Sequence, residues 1–264
     1  MDLHCFQTNT AWEAPVANFG ALSEMVDARA GTGSIEGSLL FFPELCSCGF
    51  SMNTDEVCEE ADGPSCTFFS DLARRHRCFV IAGIASKVEG SSRGANEAVC
   101  FQPDGSELSR YRKVHPFPLA AEGDHYLAGD DVVIFEINGW KIAPFICYDL
   151  RFPELFRIAA ARGAEVFPVI ANWPAPRVEH WLTLLKARAI ENQAYVLGVN
   201  RCGSDPNLNY SGNSLIVGPM GEEIAKAGAE EACLSVSLER GSFDEWRAAF
   251  PALGGMKLIT DPTR

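Results

Sequence analysis

Residues 143–157 read Ala143-Pro144-Phe145-Ile146-Cys147-Tyr148-Asp149-Leu150-Arg151-Phe152-Pro153-Glu154-Leu155-Phe156-Arg157. An apolar run over 140–146 ends on a single cysteine, and residues able to open a helix follow at once. A strand that gives way to a helix at this point holds the thiol at the strand's C-terminal end. The first free N–H groups of the helix then lie beside it, where they favour a thiolate and stabilise an oxyanion. Downstream, the pattern predicts a helix over 153–162, a strand over 166–170, a helix over 181–192 and a strand over 195–200. Continuous apolar strands spaced by helices mark an α/β protein whose sheets are covered.

Upstream, a strand is predicted over 3–7, a helix over 15–29 with Pro15 in its first turn, and a strand over 39–43. Residues 51–65 read as a loop or weak helix, 68–77 as helix and 79–87 as strand. Two hairpins follow: 96–102 with 108–114 around Pro103-Asp104-Gly105, and 132–137 with 141–146 around Asn138-Gly139. Further strands are expected over 214–217 and 233–237. Hairpins among crossovers mean mixed sheets. No linker or low-complexity stretch divides the chain, so residues 1–264 are expected to form a single domain.

At 264 residues and 47% hydrophobic, the chain can bury one large core. Its net charge of -13 argues against nucleic acid and anionic membrane surfaces, which need clustered Lys and Arg. No export signal opens the sequence and no window approaches a membrane span, which predicts a soluble, cytoplasmic protein. The ten cysteines read as reduced thiols. Cys46, Cys48, Cys58 and Cys66 are spaced C-x-C and C-x7-C with no histidine among them, so no metal is expected.

Three groups end strands, where catalytic residues of α/β sheets gather. Glu44 follows Leu39-Leu40-Phe41-Phe42-Pro43, Lys113 follows Leu108-Ser109-Arg110-Tyr111-Arg112, and Cys147 is the third. Together they suit acyl transfer. A carboxylate takes the thiol proton and returns it to the leaving amine, while an ammonium steadies the developing oxyanion by about 3–4 kcal/mol. Singly, each has a plainer reading: an inert core thiol, a helix N-terminal anion and a surface charge. Spacing alone does not bring them together.

Phe-Phe-Pro-Glu44-Leu-x3-Gly-Phe, Tyr-Arg-Lys113-Val-His-Pro-Phe and Ile-Cys147-Tyr-Asp-Leu-Arg-Phe-Pro-Glu closely resemble the three signatures of the nitrilase superfamily of carbon–nitrogen hydrolases. Gln7, Glu122 near Tyr126 and Gly129, Ala171-Asn172-Trp173-Pro174, Ala187-Arg188-Ala189-Ile190-Glu191-Asn192 and Gly212-x-Ser214-x4-Pro219-x-Gly221 fall in the order of that family. The resemblance implies a four-layer α-β-β-α sandwich of two mixed six-stranded sheets, commonly paired as a homodimer, with no metal or organic cofactor. It implies Glu44 as base, Lys113 as oxyanion stabiliser, Cys147 as nucleophile, Glu122 as the second glutamate that orients the lysine, and the Tyr148 backbone N–H in the oxyanion hole.

Glu-Leu-x3-Gly-Phe-Ser-Met, Asn172-Trp173-Pro174-Ala175-Pro176-Arg177 and Tyr195-Val196-x-Gly198-Val199-Asn200-Arg201 look most like the ω-amidase branch, which hydrolyses the terminal amide of 2-oxo dicarboxylic acid monoamides. Cys46 and Cys48 stand where that branch usually carries non-thiol residues. The substrate implied is a small amide bearing a carboxylate, which needs a cation or N–H donors. Asn172 and Arg177 are candidates to bind it, with Arg151 and Arg201 as alternatives, and Trp173 and Phe117 as an apolar wall. For Arg151 the expectation is an ion pair with Glu154 or another acid, and His115 and His180 are read as packing or loop residues. A deaminated-glutathione amidase or an N-carbamoyl amine hydrolase would share the four catalytic residues. A non-catalytic binding protein would be favoured by loss of one of the three signature residues, and all are present.

Overall fold

The computed structural model describes residues 1–257. The first part of the chain forms β1 (Asp2–Gln7), α1 (Pro15–Ala30), β2 (Leu39–Phe41), α2 (Thr54–Val57), α3 (Pro64–His76), β3 (Phe79–Ser86), β4 (Ala95–Phe101) and β5 (Glu107–Arg112). After α4 (Glu122–His125) come β6 (Phe135–Ile137), β7 (Trp140–Ile142), β8 (Phe145–Ile146), α5 (Pro153–Ala161), β9 (Val166–Ala171), α6 (Val178–Asn192) and β10 (Tyr195–Asn200). The chain then runs through β11 (Cys202–Ser204), β12 (Asn209–Ser211), β13 (Leu215–Val217), β14 (Glu223–Lys226), β15 (Ala232–Ser237) and α7 (Arg240–Ala249).

Both large sheets are mixed. One runs β15-β1-β2-β3-β4-β5; the other runs β14-β13-β10-β9-β7-β6, with β8 also beside β9. Side chains alternate across each strand, and this alternation builds the layers. Leu40, Phe42, Val80 and Ala82 pack against Leu22 and Val26 of α1 and Phe69 and Leu72 of α3. Their neighbours Leu39, Phe41 and Ile81 face the other way, into a core shared with Ile146 and Ile170 of the second sheet. Phe156 of α5 and Leu185 and Ala189 of α6 cover that sheet's outer side. Each fully buried Leu, Ile or Phe contributes about 1.5–3 kcal/mol to holding these layers together.

The four-layer α/β architecture matches the expectation, with one correction: the second sheet has seven strands rather than six. The apolar run 140–146 is not one strand. Pro144 has no N–H to give a ladder, and the run splits there into β7 and β8, both parallel to β9 (Ile142↔Val166, Phe145↔Val169). The hairpin around Asn138-Gly139 forms between β6 and β7, with φ +49° and +76° at the two turn residues, as a type I′ turn requires. The ribbon β11–β12, strand β14 and helix α7 were not anticipated from the sequence. No helix among the described residues is long and apolar enough to cross a membrane.

Candidate active site

Glu44 leaves the end of β2 in a segment that lies directly on β3. The Phe42 N–H donates to Ile81 O (2.9 Å) and the Cys46 N–H to Gly83 O (3.1 Å). Only glycine at position 83 permits this approach. A Cβ there would lie 2.4 Å from Leu45 N and 2.6 Å from Glu44 Cα. Lys113 directly follows β5, which lies two strands over from β3, and its backbone N–H donates to Asn96 O (2.9 Å). Its Nζ donates to Glu44 Oε1 (2.8 Å) and to Glu122 Oε1 and Oε2 (3.0 and 2.9 Å). Asn96 of β4 donates from Nδ2 to both carboxylates, at 2.7 Å to Glu44 and 2.9 Å to Glu122. The Phe117 N–H adds a 2.5 Å bond to Glu122 Oε2.

Glu44, Lys113 and Glu122 are all but completely buried. Charges in such a place persist only when paired and hydrogen-bonded, as these are. Burial alone would lower the Lys113 pKa, but Glu122 and Glu44 outweigh it and raise it above the ordinary lysine range. The group stays an ammonium. Burial, with the Glu44 charge, raises the Glu122 pKa against the pull of Lys113.

Cys147 sits just past β8 at φ +46°, the left-handed region that a non-glycine residue adopts only under constraint. Asp149 supplies that constraint. Its buried carboxylate accepts bonds from the Ile146 N–H (3.1 Å), the Tyr111 hydroxyl (2.8 Å) and the His115 N–H (2.9 Å), with His115 Nδ1 at 3.0 Å. The His115 ring stacks on Phe152 at 3.6 Å. One carboxylate thus ties the cysteine elbow to the strand and loop that carry Lys113. The thiolate expected from a helix N-terminus is not what forms here. The five residues Cys147–Arg151 make a 3-10 turn, and α5 begins only at Pro153. Although Cys147 is half-buried by exposed area, the thiol is densely surrounded. Burial and the facing Glu44 carboxylate push its pKa well up, against the opposing pull of Lys113. At rest the sulfur carries its proton, beside the Glu44 carboxylate that lines the same cleft.

Glu44 and Cys147 form the floor of a cleft also lined by Phe50, Phe117, Tyr148, Arg151, Asn172, Trp173, Pro174, Arg177 and Leu208. The cleft is narrow where it meets Glu44 and Cys147, with a cavity of about 30 Å³. Phe117, Asn172, Trp173 and Arg177, the residues expected to bind substrate, all lie here, while Lys113 and Glu122 are not part of the lining. The Asn172 N–H donates to Glu44 Oε2 and its Nδ2 to Glu44 O, both at 2.8 Å. The Trp173 indole donates to Arg177 O (2.7 Å). Arg177 lies over the Phe117 ring at 5.4 Å.

The ion pair expected of Arg151 is absent among the described residues. Arg151 instead lies 4.8 Å over Trp173 and 3.2 Å from His180 Nδ1, facing the cleft. Arg201 drops out as an alternative: it is fully buried and donates to Thr10 O, Ser204 O and Cys202 O. Cys46 and Cys48 pack behind Glu44 without reaching the cleft, and Cys46 is pushed up to about 12 by burial. No group of three or more His, Cys, Asp or Glu among the described residues is arranged to hold a metal ion. Asn96, Gly83 and Asp149 escaped the sequence reading. A polar Asn96-Glu97 pair inside the otherwise apolar run 95–101 was the available signal for the first.

A sandwich of this topology with such a cleft belongs with the enzymes that cleave carbon–nitrogen bonds, and the comparisons agree. The family model "Carbon-nitrogen hydrolase" matches residues 5–248, and the chain belongs to that family. Within it the protein is an amidase of the nitrilase superfamily. It is 32% identical to a 2-oxoglutaramate amidase of Bacillus subtilis (strain 168) over 97% of both chains. It is 38% identical to an omega-amidase of Escherichia coli (strain K12) over 81% of this chain and 82% of that one. A CN-hydrolase superfamily protein from Xanthomonas campestris, solved with an arsenic adduct in its active site, superposes with a TM-score of 0.90 at 30% identity over 97% of both chains.

Proposed function

We propose that the chain, acting as a single catalytic domain, hydrolyses the terminal amide of a small ω-amide of a dicarboxylic acid, of the 2-oxoglutaramate or 2-oxosuccinamate type, and releases ammonia. The observation that carries this reading is the meeting of Glu44, Lys113 and Cys147 beneath a cleft whose mouth holds two guanidinium groups, Arg151 and Arg177, without acidic partners among the described residues. In a protein of net charge -13, unpaired cations at one narrow opening favour a substrate anion. The names of the Bacillus and Escherichia relatives support the same acyl class.

The raised thiol pKa makes general-base assistance necessary. Glu44 takes the thiol proton as sulfur attacks the amide carbon, and the carbonyl oxygen becomes an oxyanion held by Lys113 Nζ and the Tyr148 N–H. Each such donor is worth about 3–4 kcal/mol. Glu122 fixes Lys113 in place. Collapse breaks the C–N bond, and Glu44 passes its proton to nitrogen, which leaves as ammonia. Water then adds to the thioester while Glu44 takes its proton. The C–S bond breaks and the sulfur recovers that proton. Arg177 holds the far carboxylate, with Trp173 and Phe117 as walls. The steps use this chain's own groups alone.

A second reading has one observation behind it. A vestibule of about 610 Å³, lined by Trp12, Met52 and Leu119, joins the cleft through Phe50, Phe117, Arg177 and Leu208. That space suits a longer acyl group, as in a deaminated-glutathione amidase. Ammonia release from 2-oxoglutaramate, deaminated glutathione, glutamine, a carbamoyl amine and a nitrile decides the matter. The highest kcat/KM is expected for 2-oxoglutaramate. Deaminated glutathione in first place would favour the second reading, and glutamine or the carbamoyl amine would overturn both.

A further inference from the structure

Asn172 is 4% exposed, lines the cleft beside Glu44 and Cys147, and has spent both its backbone N–H and its Nδ2 on Glu44. Its side-chain oxygen Oδ1 is buried and meets no donor in the described chain. A buried carbonyl without a donor costs free energy, and native interiors carry few of them. The other groups around the reacting centre are already committed. In the mechanism proposed above, Lys113 and the Tyr148 N–H take the carbonyl oxygen, and the Glu44 carboxylate handles the proton. What a primary amide adds, and an ester lacks, is N–H donors on the leaving group. One of them needs an acceptor while the other side of the nitrogen faces Glu44.

We propose that Asn172 Oδ1 accepts an N–H of the scissile amide and so selects amides over esters of the same acid. This rests on the amidase reading above and gives that site its leaving-group specificity. The contact fixes rotation about the C–N axis, so the nitrogen lone pair that forms as the carbonyl is attacked points at the protonated Glu44. Collapse then moves the Glu44 proton to nitrogen, the C–N bond breaks, and ammonia departs with the acyl group on Cys147 sulfur. An ester reaches the same thioester by losing an alcohol. It offers Oδ1 nothing, and two facing oxygens repel. The principle is that of sites built to pair a substrate N–H: the analogue without it leaves a buried acceptor unsatisfied and is rejected.

The experiment compares kcat/KM for a dicarboxylic acid monoamide and for the monomethyl ester of the same acid, in the wild type, Asn172→Ala and Asn172→Ser. The pair shares one acyl-enzyme, so deacylation is common to both and only the leaving group differs. A purely structural role, holding Glu44 in place, is gauged by Asn96→Ala, which removes another bond to Glu44 (2.7 Å): the ratio change in the Asn172 variants should exceed the change there. The expected result is a fall of at least about tenfold in the amide-to-ester ratio, or about 1.4 kcal/mol, in both variants. An unchanged ratio in either folded variant overturns the proposal, and Asn172→Ser keeps a small polar side chain should Asn172→Ala fail to fold. The acyl chain is the one the wild type turns over fastest. A wrong substrate class therefore shows as wild-type inactivity on 2-oxo acid amides, and a wrong Asn172 assignment shows as a constant ratio on whatever chain is used.

Discussion

Gly83→Ala tests how far the base depends on a position that touches no substrate. The new Cβ would lie 2.4 Å from Leu45 N, 2.6 Å from Glu44 Cα and 2.6 Å from Pro43 O, all backbone atoms that no rotamer change can move aside. Ordinary contact begins near 3.4 Å, so the Glu44 segment must retreat by about 1 Å. The bonds from Lys113 (2.8 Å) and Asn96 (2.7 Å) to Glu44 then stretch out of range. A displacement of that size costs on the order of 10²-fold in rate, about 2.7 kcal/mol of barrier, and the overpacking about 1–3 kcal/mol of stability. Gly198→Ala is the control. Its Cβ meets the Leu185 side chain and the Trp181 ring of α6 at 2.5–2.9 Å, and none of these atoms belongs to the Glu44 segment. Urea unfolding of both variants and kcat/KM for ammonia release are the assays. Similar destabilisation with a rate loss confined to Gly83→Ala is expected. A folded Gly83→Ala within about threefold of the wild type would refute the argument.

Arg177→Met and Arg151→Met should each raise KM for an anionic amide about 10–100-fold with little change in kcat, from loss of a charge-assisted bond of about 1.5–3 kcal/mol; a neutral amide of equal length should not notice. If the anionic and neutral amides respond alike, the cationic mouth is not what binds the carboxylate. Cys147→Gly and Cys147→Ala should both lack turnover. The glycine variant should be no less stable, because relief of a left-handed backbone, about 1–2 kcal/mol, offsets the added chain entropy of about 0.5–1 kcal/mol; a Cys147→Gly deficit beyond about 1 kcal/mol would show that φ +46° stores no strain. Cys46, held up to about 12 by burial, stays protonated in the fold while an unfolded thiol ionises near about 8.5. Its stabilisation is therefore complete below about pH 8.5 and lost as pH rises toward 12. Unfolding free energy measured from pH 8.5 to 10 should fall less steeply in Cys46→Ala, by about 1.4 kcal/mol per pH unit, and equal slopes would contradict the burial argument.

The sequence carried the layered α/β arrangement because period-two and continuous apolar runs report which faces are covered. It carried the three strand-end groups because each interrupts an apolar run with one ionisable side chain. The break at Pro144 was visible as a proline but was read through, since Phe145-Ile146 continues the apolar run on its far side. Gly83 was hidden for a different reason. Its importance lies in what approaches it from forty residues upstream, which no local pattern encodes. Asp149 reads as a polar residue opening a helix, and only the folded chain shows that it gathers Tyr111, His115 and Ile146. Arg151 was misjudged because an acid three residues on made an ion pair the economical guess.

The two bonds from Asn172 to Glu44 join residues 128 positions apart, one on each sheet. Neither sheet holds the site alone: the base comes from the first, the nucleophile from the second, and the seam between them is where chemistry would occur. Closing so long a loop is slow and late in folding. In a refolding experiment, helix and sheet signals should therefore return before ammonia release does. Turnover becomes a clock for the last docking event, and a chain whose halves are folded but unmated is a silent enzyme.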